Sequence, residues 1–132
     1  MNRKKQISAA CALVHDHFTY LADIINYGED ERWDDHSDTV LAGNDFEDDC
    51  DGFACTVGAI LHKRGIPKED IYLMLVDTRG GQSMNHAVCG VMDSGQMWIC
   101  ENNHYFPFKQ GWNFYGYIKY RTMADQQWYK ND

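Results

Sequence analysis

Asp48-Asp49-Cys50-Asp51-Gly52-Phe53-Ala54-Cys55-Thr56-Val57-Gly58-Ala59-Ile60-Leu61-His62-Lys63-Arg64-Gly65-Ile66-Pro67 is the stretch from which the fold is read outward. Acidic residues stand at its start, the apolar side chains Phe53, Val57, Ile60 and Leu61 recur at helical spacing, and Gly65 with Pro67 follows. The stretch is therefore a helix with Cys50 in its first turn. That turn carries unpaired N–H groups and the positive end of the helix dipole, which favour an anion such as a thiolate.

Upstream, Ile7, Cys11, Val14, Phe18, Leu21 and Ile25 alternate in steps of four and three, which predicts one face of a helix ending near Gly28. From Glu29 to Asp49 the chain is polar and acidic, and reads as a long surface loop holding at most a short helical turn. Downstream, Ile71 to Val76 reads as a strand, Arg79-Gly80-Gly81 as a turn, and His86 to Met92 as a second strand. Asp93-Ser94-Gly95-Gln96 reverses the chain into a third strand, Met97 to Asn102, and Phe114 to Arg121 forms a last one before a tail whose Trp128 and Tyr129 dock back. Two helices followed by antiparallel strands predict an α+β fold with helices packed on one face of an antiparallel sheet. The 132 residues fit a single domain, 1–132, around one core.

A formal net charge of −8 argues against nucleic acid and against anionic membrane surfaces as partners, since neither polyanion attracts such a chain. No stretch reaches the roughly 20 apolar residues that span a bilayer. Five cysteines, an odd number without disulfide-framework spacing, read as reduced thiols. Met1 to Lys5 is basic, but the apolar run Ile7 to Val14 leads straight into His15, Asp16 and His17 without a small-residue cleavage site. The expected location is the cytoplasm.

A thiol nucleophile at Cys50 needs a base, and His86 stands at a strand start after a Gly-rich turn, where it can project toward a helix terminus. In the hairpin closed at Ser94-Gly95, Asn103 falls opposite His86 and Glu101 lies diagonally on the same face. A carboxylate both orients an imidazole and stabilises the imidazolium, whereas an amide only orients it, so Glu101 is the first choice and Asn103 the reserve. The remaining cysteines, Cys11, Cys55, Cys89 and Cys100, read as core residues. A zinc site from His86, Cys89, Cys100 and His104 is disfavoured, because residues three apart on a strand face opposite sides.

Four motifs in order, Asp48-Asp49-Cys50-Asp51-Gly52-Phe53-Ala54, Gly65-Ile66-Pro67, Asn85-His86-Ala87-Val88 and Ile99-Cys100-Glu101-Asn102, resemble those of the bacterial transglutaminase-like cysteine peptidases. The likeness covers roughly Gly43 to Tyr120. It implies a papain-like/transglutaminase-like core and a cysteine peptidase or amidase that works by thiol acyl transfer on a peptide or protein substrate. Cys50, His86 and Glu101 then form a catalytic triad. Similarity to calcium-dependent members implies calcium held by Asp49 and Asp51, with no other cofactor called for. The sequence departs from the family pattern at Asp48, where Gly is usual, at Gly52, where an acid is common, and at Glu101, where Asp is usual. A crosslinking or deamidating transglutaminase and a catalytically silent binding domain are the alternatives, and a phage-encoded or cytoplasmic relative is the expected setting. The oxyanion would be met by the Cys50 N–H together with Asn44 or Trp33, while Phe106 and Trp112 are placed to line a substrate groove.

Overall fold

The computed structural model describes residues 3–20, 34–77, 86–100, 108–110, 116–125, 127 and 129–130. Helix α3 (Cys50–Lys63) is its centre. The Asp49 carboxylate caps it, accepting the N–H groups of Asp51 and Gly52 at 3.1 and 3.4 Å. From Gly52 to Leu61 every residue is buried, as expected of a helix apolar on all sides. Helix α1 (Arg3–His17) packs against it on one side and the sheet on the other. The approach to the sheet is close: a Cβ on Gly58 would come within 2.8 Å of the Met123 sulfur and 3.1 Å of Ile71 Cγ2. The helix stops where Gly65 turns to φ +106°, the left-handed conformation that favours glycine.

The sheet is built from β3 (Ile71–Asp77), β4 (His86–Asp93), β5 (Gln96–Cys100), β6 (Phe108–Gln110), β7 (Gly116–Thr122) and β8 (Tyr129–Lys130). Their spatial order is β6-β5-β4-β3-β7-β8, and every neighbouring pair is antiparallel. Ser94 and Gly95 both have positive φ, 52° and 80°, the signature of the tight hairpin turn that matches strand twist. The register predicted from that turn holds from Asp93↔Gln96 to Cys89↔Cys100. One sheet face, with Leu73, Cys89, Val91 and Cys100, closes the core under α1 and α3; the other carries a separate apolar cluster of Met74, Val76, Val88, Met97 and Ile99.

Three features differ from the sequence reading. The first helix ends at His17, not near Gly28, because Phe18–Tyr20 (β1) leaves it to pair in parallel with Phe46–Asp48 (β2). Phe18 packs there on Phe46 and Phe53 with ring centroids 5.4 and 5.1 Å apart, so a tertiary contact overrides the helical periodicity. The stretch expected as a loop with at most a short helical turn does hold such a turn, α2 (Ser37–Leu41), but it also contains the strand β2. Strands β6 and β8 are additional to the strands that the residue pattern predicts; Tyr129 docks on Tyr120 through β8, whereas Trp128 lies outside the described residues. Among the described residues no helix is long and apolar enough to cross a membrane.

Ile60 on α3 is fully buried. Its replacement by Ala is expected to cost about 2–5 kcal/mol, seen as a lower denaturant midpoint with an unchanged slope.

Candidate active site at the head of the central helix

Cys50 is the first residue of α3 and His86 the first of β4, and the two element ends meet. The backbone N–H of Ala87 donates to the Cys50 sulfur at 3.3 Å. His86 is the next residue along the strand, its Cα about 3.8 Å from that of Ala87. It is half-buried and paired with Val76 of β3. Thus the helix head and the strand start that sequence nominated lie side by side. Glu101 and Asn103, nominated to orient the imidazole, lie outside the described residues, as do Trp33, His104, Phe106 and Trp112; Asn44 is exposed in the turn after α2.

Electrostatics at the sulfur set the helix dipole against burial and the acidic residues crowded around Cys50. The Cys50 thiol is pushed up to about 12, first by burial and then by the Asp51 carboxylate; the Ala87 N–H pulls the other way, and Asp49 adds a further rise. Asp51 Oδ1 stands 3.9 Å from the sulfur. The helix dipole favours a thiolate, but desolvation and two of the acids that the sequence crowds around Cys50 outweigh it. Asp49 is itself raised above the usual carboxylate range by burial and by the adjacent Asp48 charge, although its cap bonds oppose this.

Asp49 and Asp51, the expected calcium pair, flank Cys50 at the head of α3. One oxygen of Asp49 accepts two backbone N–H groups, and Asp51 Oδ1 stands toward the sulfur; calcium, which takes six to eight oxygens, would draw on the other carboxylate oxygens and on further donors. The metal-type donors that do converge among the described residues are Asp34, His36 and Asp48, one ligand atom from each lying within 4.8 Å of the others. Sequence reading missed this group; the available signal was an Asp-x-His pair inside an acidic loop. Two departures from the family pattern also prove to be a single feature, since a Cβ on Gly52 would collide with the Asp48 carboxylate. The bare glycine leaves the space that the Asp48 side chain fills. Cys89 and Cys100, opposite each other in the sheet, are wholly buried in the core with Cys11.

The sequence profile of the bacterial transglutaminase-like cysteine proteinases (BTLCP) matches residues 1–131. The chain belongs to this family. Among solved structures it is similar to LapG of Legionella pneumophila. The calcium-bound form superposes with a TM-score of 0.65 at 16% identity, over 90% of this chain and 65% of that one. The EGTA-treated form gives 0.68 at 15% identity, over 98% and 67%. At such identity the likeness establishes the transglutaminase-like fold, and this chain spans about two thirds of the length of LapG. No curated protein matches it.

A thiol raised this far gains thiolate only as the pH climbs toward its pKa. Alkylation of Cys50 by iodoacetamide should therefore accelerate steadily through pH 9 to 10 without a plateau. Asp51→Asn removes a charge that disfavours the thiolate and should speed labelling at pH 8, by about tenfold for each unit by which the pKa falls; a plateau near neutrality in the parent protein would contradict this electrostatic picture.

Proposed function

We propose that this member of the cysteine proteinase family hydrolyses a peptide bond by thiol acyl transfer, with Cys50 as nucleophile and His86 as base. The observation that carries the reading is the Ala87 N–H on the Cys50 sulfur, which sets the strand bearing His86 against the helix head. Because the thiol is held neutral, His86 takes its proton as the sulfur attacks the carbonyl, instead of drawing on a standing thiolate. The tetrahedral oxyanion forms at the head of α3, where the Cys50 N–H is one donor. His86 then returns the proton to the leaving amine, and a water activated by the same imidazole cleaves the thioester. Glu101 is the residue assigned to orient His86, with Asn103 in reserve. The substrate is a protein or peptide. A chain of net charge −8 draws basic segments more readily than acidic ones.

LapG has been captured in calcium-bound and EGTA-treated forms; in this chain Asp49 and Asp51 are the residues that would hold such an ion, and no step of the reaction is routed through it. Transamidation is the same chemistry with an amine in place of water, and incorporation of a fluorescent amine into protein measures it beside hydrolysis.

Incubation with a mixture of proteome-derived peptides, read by mass spectrometry, should reveal new termini. His86→Gln is expected to lower the rate by about 10²–10⁴-fold and Cys50→Ser to abolish it. Cleavage that survives both substitutions would rule out the assignment, and a parent protein that cleaves nothing and transfers no acyl group to an amine would favour a binding domain.

A further inference from the structure

Asp34 and His36 precede α2, and Asp48 ends β2, so three donor side chains are brought together from two separate segments. His36 Nε2 lies 2.8 Å from Asp48 Oδ2. Groups outside the cluster hold two of the three donors. The His36 ring stacks on Phe46 with centroids 4.6 Å apart and planes at 17°, and its backbone N–H donates at 3.0 Å to the hydroxyl of Thr56, which is wholly buried on α3. The other oxygen of Asp48 accepts the Asp49 N–H at 2.7 Å, and Gly52 leaves room for that carboxylate. Asp34, exposed, completes the group from the solvent side. Among the described residues no Lys or Arg forms an ion pair with Asp34 or Asp48.

Two carboxylates beside an imidazole present the negative charge that a divalent cation balances. The nitrogen donor decides its class: imidazole suits zinc and its transition-metal neighbours, while calcium takes oxygens. Three protein ligands on a solvent-facing rim also leave a coordination position open. We propose that Asp34, His36 and Asp48 bind a divalent transition-metal cation of the zinc class, just ahead of the helix that carries Cys50. Such an ion ties the 34–36 segment to the junction of β2 and α3, independently of whether Cys50 is catalytic.

The full chain, stripped with a chelator, is titrated with zinc chloride by calorimetry while its melting temperature is followed. One ion per chain is expected, with a rise in melting temperature. Calcium at the same concentration should not compete. Asp34→Asn alters an exposed side chain, so folding is preserved, and affinity should fall at least about tenfold, as removal of even a supporting group in metal sites does. His36→Gln should act alike. Cys50→Ser should bind zinc as the parent does, and so should Asp45→Asn, which breaks the separate His17–Asp45 pair. Absence of stoichiometric zinc, unchanged affinity in Asp34→Asn, displacement by calcium, or loss of binding in Cys50→Ser or Asp45→Asn would each overturn the proposal.

Discussion

The backbone amide of Ala87 reaches the sulfur of Cys50, and this contact between α3 and β4 is what turns a helix packed on a sheet into a site. The helix is fixed along its length by burial on all sides between α1 and the sheet, and at its head by the Asp49 cap. The strand is fixed by its pairing with β3 and by the tight hairpin to β5. Where these two rigid elements touch, the thiol and the residue beside Ala87, His86, are neighbours because the backbone has no freedom to separate them. Sites built on such elements hold their geometry better than sites on loops.

The same head of α3 is a place of electrostatic conflict. A helix N-terminus favours negative charge, and the sequence crowds it with Asp48, Asp49 and Asp51. The three carboxylates divide among different neighbours, with Asp49 capping the helix, Asp48 meeting His36, and Asp51 lying against the thiol. The sulfur is left protonated, since burial and the nearby acids together exceed what the dipole and the Ala87 N–H return. Proton removal in the act of attack follows from this arrangement, and it places the burden on the imidazole.

Much of this is legible in the residues because it is local. Apolar spacing from Phe53 to Leu61, bracketed by acids and by Gly65-Ile66-Pro67, specifies α3 and places Cys50 in its first turn, and Ser94-Gly95 sets the β4–β5 register. What escapes such reading is non-local. Phe18 to Tyr20 continues the helical pattern of α1, and only pairing with Phe46 to Asp48, far along the chain, draws it into a strand. The convergence of Asp34, His36 and Asp48 accompanies that same pairing and the stacking of His36 on Phe46, so the Asp34-x-His36 spacing shows two of the donors and not the third. The opposition of the acids to a thiolate can be read from the run Glu47 to Asp51, whereas the larger cause, the depth of burial of the sulfur, cannot.

The central contact is open to direct measurement by amide hydrogen exchange. In the parent protein the Ala87 N–H should be protected, and in Cys50→Ala it alone should lose protection while Val88 to Val91 keep theirs. Equal exchange at Ala87 in the two proteins would mean that the sulfur is not its partner, and that the head of α3 and the start of β4 do not meet as described.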